Sequence, residues 1–202
     1  AAVPFVVTSP EKDFTPPAIV FPDNKDTDPS TDFDYNELSK TSQSLDRYVQ
    51  INPALEAVRY LREGIFKMTG KEMPVIRSSD KTKGIVFTTL AQAPEEIQKD
   101  PKILSALRKT DKDPYNAHEA FFVRTEPERT LIVTNTAEGF NHAAASLLES
   151  VGYEVLGMGP NWTHIPDFRG KSLVFNLEEA GRPGFYIRQL GLTSGQAHGI
   201  GT

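Results

Sequence analysis

Few side-chain types carry chemistry near neutral pH, and this chain holds them sparsely. It has four histidines, His118, His142, His164 and His198, and no cysteine. No two of these histidines stand at the spacing that places ligands on one helix face, and no His-Glu-x-x-His run occurs. The missing thiol excludes disulfides, thiolate-bound metal and a cysteine nucleophile. His118 and Glu119 are adjacent before an apolar run, so in a strand they would point to opposite faces and form no dyad. His142 borders the apolar face of a helical stretch, where packing or solvent contact is its expected role. The serines lack a Gly-x-Ser-x-Gly elbow. The glycines form neither a phosphate loop nor a dinucleotide fingerprint: Gly157-Met158-Gly159-Pro160 precedes no helix, and its proline removes a donor. No cofactor is expected.

The carboxylates come as sequence neighbours, Glu95-Glu96 and Glu178-Glu179. Glycoside cleavage needs two carboxyl groups facing each other across a bond, one protonated and one ionised. Neighbours on an exposed helix or loop do not meet that condition. A hydrolase would need acids brought together from distant segments, such as Glu119 with Glu138. Asp26, Asp28, Ser30, Asp32, Asp34 and Glu37 occupy alternating positions of an EF-hand-like calcium register. Against it, Thr31 stands where the loop needs glycine, and Pro29 stiffens the turn. A solvated acidic loop is the expectation, and no metal site is assigned. Trp162, the sole tryptophan, is a candidate substrate-binding residue that could stack on a sugar ring, the alternative being a core or interface role. It sits in the formal sequon Asn161-Trp162-Thr163.

The elements that must position these residues centre on Thr130 to Pro166. Leu131-Ile132-Val133 is an apolar β-rich run ending at Asn135. Phe140, Ala143, Ala144, Leu147, Leu148 and Val151 then share one helical face. Gly152 is placed to end that helix. Tyr153 to Leu156 reads as a second strand, so the stretch predicts a strand–helix–strand unit on which the rest packs. Upstream, Asn52 can cap a helix with Pro53 in its first turn and an apolar stripe of Leu55, Val58, Leu61, Ile65 and Met68. Short strands are predicted at Ala18–Phe21, Pro74–Arg77, Ile85–Thr88, Ala120–Val123, Ser172–Phe175 and Phe185–Arg188. A hairpin should join Ala120–Val123 to the run at Leu131. Pro94 to Arg108 predicts a charged helix broken at Pro101.

The chain has 202 residues, enough for one domain with appendages, and 15 prolines accompany a hydrophobic fraction of only 38%. A net charge of −5 with no apparent basic face argues against general nucleic-acid binding. No apolar run is long enough to span a bilayer. The start Ala1-Ala2-Val3-Pro4 is compatible with a cleaved signal peptide, which points to a secreted or periplasmic protein.

Thr69-Gly70 followed by Met73-Pro74-Val75, then Glu119-Ala120-Phe121, form an ordered set of motifs. Gly139 with its Ala-rich helix, Leu147-Leu148-Glu149, Gly152-Tyr153 and Ile165-Pro166 continue it. Arg182-Pro183-Gly184-Phe185-Tyr186-Ile187-Arg188 closes it. Over residues 51–190 this order resembles the N-terminal α/β domain that precedes the catalytic barrel in bacterial α-glucuronidase-like and β-hexosaminidase-like glycosidase-related proteins. Departures are the acidic stretch Asp23–Glu37, the long Pro94–Asn116 segment, and Gln189 where the hexosaminidase pattern has glycine.

The order of predicted elements fits an α+β fold, with a mixed sheet of at least four strands and two main helices on one face, leaving the other sheet face to solvent or a second domain; the resemblance adds a β-hexosaminidase N-terminal-domain-like fold. Residues 1–50 read as an extended segment with one short strand and an acidic loop, and the resemblance implies an accessory domain at 51–181 and an exit strand and flexible tail at 182–202 leading toward a barrel beyond Thr202. It implies that this domain is non-catalytic, that its partners are its own C-terminal catalytic domain and a polysaccharide, and that Arg188 contacts a sugar hydroxyl. The function expected is therefore support of a glycoside-hydrolase barrel. A free-standing carbohydrate- or protein-binding module is the alternative.

Overall fold

Amphipathic spacing alone accounts for the two long helices. A computed structural model describes residues 1–21, 53–109, 117–157 and 160–182. Helix α1 (Pro53–Thr69) buries Leu55, Val58, Leu61, Ile65 and Met68 completely. It starts at Pro53, whose fixed φ suits a first helical position. Thr69 Oγ1 donates to the Ile65 carbonyl at 2.7 Å, and Gly70 turns the chain away at φ +71°. The second long helix, Phe140–Glu149, buries Phe140, Ala143, Ala144, Leu147 and Leu148. Gly152 follows it at φ +92°, in the backbone region glycine favours, and the Tyr153 amide closes on the Leu148 carbonyl.

In chain order the other elements are β1 (Phe5–Thr8), β2 (Ile19–Phe21), β3 (Val75–Arg77), β4 (Gly84–Thr89), α2 (Glu95–Gln98), α3 (Pro101–Leu107), β5 (Phe121–Thr125) and β6 (Arg129–Thr134). The long helix Phe140–Glu149 is α4, followed by β7 (Glu154–Val155), β8 (Thr163–His164), β9 (Leu173–Phe175) and β10 (Glu178–Gly181). The fold is α+β. One six-stranded mixed sheet has the order β10-β5-β6-β4-β2-β3. Strands β6, β4, β2 and β3 run parallel, while β5 is antiparallel to both β6 and β10. The expected hairpin is formed by β5 and β6.

Helices α1 and α4 cover one face of this sheet. The core between them holds Ile19, Phe21, Ile85, Phe87, Phe121, Val123 and Ile132. Phe87 and Phe140 meet edge to face, with centroids 5.2 Å apart. The helices approach closely because Gly64 carries no side chain: a Cβ there would lie 2.6 Å from Leu148 Cδ1. A ribbon of β1 and β9 adds Phe5, Val7, Leu173 and Phe175 to the same core.

Four expectations need correction. The opposite sheet face is not left bare by one-sided cover: Ile97, Ile103 and Leu107 of α2 and α3 pack on Ala120, Phe122, Leu131 and Val133. Pro101 does break the helix, with Asp100 capping α3 through the Lys102 amide at 2.9 Å. Second, Tyr153–Leu156 does not return to the sheet. Both sides of β6 are already occupied, by β4 and β5, so β7 instead forms a separate hairpin with β8. Third, Phe5–Thr8 is a strand whose partner, β9, lies near the far end of the chain. Fourth, Glu178-Glu179 is no loop pair but opens the edge strand β10. Strand β2 is interior to the sheet, so the sheet draws on residues before position 50.

Asn52, the acidic stretch Asp26–Glu37, His198 and the 183–190 run containing Arg188 lie outside the described residues.

Candidate functional site

In an open α/β sheet, ligands favour the carboxyl ends of strands where successive connections leave toward opposite faces. Here β4 leads to α2 and α3 on one face, while β6 leads to α4 on the other. Paired carboxyl-end residues Thr89 and Thr134 mark that edge. Several of its polar side chains bond to the backbone. Asn135 Nδ2 donates to the Leu107 carbonyl at 2.7 Å and to the Ala117 carbonyl at 2.8 Å. Thr134 Oγ1 donates to the Thr136 carbonyl, and Thr136 Oγ1 donates to the His118 carbonyl.

The histidines and acids of this edge pair crosswise. His118 Nδ1 lies 3.8 Å from Glu138, and His142 Nε2 lies 3.7 Å from Glu119. The proposed acids Glu119 and Glu138 are thus each turned to a histidine. His118 Nδ1 also contacts Thr136 Oγ1 at 3.2 Å. That hydroxyl already spends its one proton on the His118 carbonyl, so Nδ1 must donate to it. A relay needs a separate partner on each ring nitrogen, and both contacts here fall on Nδ1. Burial lowers the pKa of His142 below its ordinary value.

A second polar cluster lies at the other end of β5. Arg124 binds Asp100 at 2.8 Å and Glu126 at 2.9 Å, and lies 5.5 Å above the Phe122 ring. Arg129 binds Glu126 at 2.6 Å, and Lys102 binds Glu178. Burial by itself would raise the Asp100 carboxyl. Hydrogen bonds from Arg124 and the Lys102 amide, with the Arg124 charge, bring it below its ordinary value. A depression of about 550 Å³ opens over this network. Its cations face carboxylates of the same chain, which suits a brace between α3, β5 and β10.

The third feature is the hairpin of β7 and β8. Glu154 stands opposite His164 and Val155 opposite Thr163. The Leu156 amide donates to the Trp162 carbonyl at 2.7 Å and adds a further rung. Trp162 is 59% exposed and Leu156 67% exposed. The expected core alternative for Trp162 is thereby excluded. The indole rests on Gly157: a Cβ at that glycine would stand 3.2 Å from Trp162 Cγ and 3.3 Å from Cδ2. At the root of the hairpin, Tyr153 is buried and meets Tyr60 edge to face at 6.3 Å.

No protein-family model matches this chain, and no curated protein matches it. The family resemblance therefore rests on the sequence motifs alone. Gly70 and Met73 end and follow α1. Gly152 and Tyr153 end and follow α4, and Pro166 Cγ would lie 3.3 Å from a Cβ at Gly152. The Phe168 amide donates to the Met68 carbonyl at 2.8 Å, and Arg62 Nε donates to the Met73 carbonyl at 3.0 Å. Motifs far apart in sequence thus meet where the two long helices end.

Sequence reasoning singled out Trp162 but missed its partners Leu156 and Gly157. The signal was present: β-like residues on both sides of a Gly-x-Gly-Pro break are a hairpin pattern. Among the described residues, no group of three or more His, Asp or Glu side chains is placed to hold a metal ion. No described helix is long and apolar enough to cross a membrane.

Proposed function

We propose that this chain is a non-catalytic accessory domain of a larger exported glycoside-hydrolase-like protein, supporting a catalytic barrel and lending one side of a sugar cleft. The observation that carries this reading is the junction at the ends of α1 and α4. The residues on which the resemblance rests act there as turn formers and buried contacts. Gly70 and Gly152 turn the chain at positive φ, Thr69, Met73 and Tyr153 are buried, and Pro166 lies over Gly152. Such a set maintains a scaffold. The crossed histidine–glutamate pairs agree with it, since each acid lies 3.7 or 3.8 Å from an imidazole.

The test compares the purified 202-residue chain with a longer polypeptide that carries the following coding sequence. Aryl-glycoside hydrolysis is expected from the longer protein alone. Its catalytic part should lose thermal stability when residues 1–182 are deleted. Turnover by the 202-residue chain would overturn the reading, as would a downstream sequence with no alternating strand and helix pattern.

A second reading, a free-standing binding module, is favoured by one observation, the exposed tryptophan on its own hairpin. The two readings separate on whether the chain gains stability from a following domain or only from a ligand.

A further inference from the structure

We infer that the β7–β8 hairpin is a binding platform for a neutral, β-linked pyranose chain, with the Trp162 indole as the stacking surface. The inference deepens the function proposed above by naming the ligand class, and it rests on that reading only in taking a glycan as ligand.

Side chains alternate along a strand, so rungs two apart share a face. The Leu156–Trp162 rung therefore lies on the same face as the Glu154–His164 rung, roughly 7 Å away along the ribbon. All four side chains are exposed. The indole is pinned from beneath by the bare backbone of Gly157. A free tryptophan would have to be immobilised by its ligand, whereas this one is oriented beforehand, and that lowers the entropic cost of binding. An aromatic face carries negative charge density and attracts positively polarised edges. The axial C–H bonds of an all-equatorial pyranose present such an edge as a flat patch. Leu156 widens the apolar surface. The next rung supplies a carboxylate acceptor and an imidazole, spaced to reach hydroxyls of the adjoining sugar.

Charge selects the kind of glycan. Glu154 is exposed beside the platform and Asp167 lies three residues beyond His164. No lysine or arginine occurs between Val151 and Phe168. A uronate chain would meet like charge from these two carboxylates, whereas a neutral chain would not.

Because Trp162 is the sole tryptophan, its emission reports this surface alone. Titration of the 202-residue chain with cellohexaose or xylohexaose should change the emission saturably. A β-1,4-linked hexaglucuronate, the same equatorial backbone carrying carboxylates, should bind at least roughly tenfold more weakly. By calorimetry, W162A should lose roughly tenfold or more in affinity, with W162F intermediate. G157A forces the indole off its seat, so it should weaken binding while leaving the urea midpoint unchanged. The last variant separates lost orientation from lost folding. An emission unmoved by either neutral hexasaccharide into the millimolar range would overturn the inference. So would W162A binding as wild type, or the β-1,4-linked hexaglucuronate binding as tightly. A blue shift that depends on protein concentration without sugar would also overturn it, since it would make a second copy the partner. Failure of this titration leaves the stability test of the scaffold reading untouched, and the reverse also holds.

Discussion

Replacing Gly84 by alanine tests whether the parallel centre of the sheet is built as described. Gly84 opens β4 at φ +95°, and a Cβ there would stand 2.4 Å from the Ala18 carbonyl oxygen. That oxygen accepts from the Ile85 amide at 2.9 Å and so helps join β2 to β4. The obstacle is backbone, which cannot rotate aside as a side chain would. An alanine at this φ costs about 2 kcal/mol in strain. Separating two interior strands adds about 1–3 kcal/mol of misfit and about 1 kcal/mol for a weakened hydrogen bond. The expected loss is about 5 kcal/mol, against a total stability of roughly 5–15 kcal/mol for ordinary domains. Gly170 supplies the control. It also has positive φ, +72°, but nothing lies within 4 Å of its would-be Cβ. G170A should cost only about 1 kcal/mol. Urea unfolding followed by far-UV circular dichroism measures both. If the two variants unfold within about 1 kcal/mol of each other, β2 and β4 are not neighbours in the register described.

Three further outcomes follow from particular contacts. R124M leaves Asp100 and Glu126 without their shared cation in a mostly buried setting, and should cost about 2 kcal/mol in urea unfolding at pH 7. The Asp100 pKa is depressed in the fold, so its contribution is present above the unfolded value of 3.8 and lost as pH falls through the folded one; R124M should flatten that acid limb. His142 has a folded pKa below its ordinary 6.5, so the fold disfavours its protonated form. Stability should fall as pH drops from above 6.5 toward the folded value, and H142N should lose that slope in urea midpoints taken across the range. G64A drives a methyl into Leu148 and should cost about 1–3 kcal/mol, while the double variant G64A/L148A should cost less than the two single changes together.

How far the fold could be read from sequence depended on whether an element's signal was local. The stripes of α1 and α4 were legible because five or six apolar positions at helical spacing leave one way to bury them. The break at Pro101 was legible because proline acts on its own turn. By contrast, Phe5–Thr8 finds its partner in Leu173–Phe175, and nothing local announces so distant a pairing. Tyr153–Leu156 has β-like residues, yet joining the main sheet required a free side on β6, and β5 had taken it. Periodicity cannot report that competition. At the candidate site the same division holds. Trp162 was visible as a residue type, but its exposure and its seat on Gly157 depend on a turn that folds one strand back on the other.

The hairpin and the motif junction are mechanically one object. Strands of two residues cannot hold a ribbon by themselves, and Glu154, Val155, Leu156 and His164 bury little to help. The ribbon must be fixed at its root. One leg leaves Gly152 and Tyr153, whose ring is buried against Tyr60 of α1. The other enters Ile165 and Pro166, and Pro166 packs over Gly152 before Phe168 bonds to the end of α1. Every one of these root contacts involves a residue that ends or follows a long helix. Any change that shifts the end of α1 against the end of α4 must therefore swing the indole, although Trp162 itself touches neither helix terminus among the contacts described. A G152A variant makes the point measurable: its Cβ would press on Pro166 at 3.3 Å and strain a φ of +92°. Glycan affinity should then fall by more than the loss of global stability explains. Equal losses in both would mean that the hairpin is positioned from somewhere other than its root.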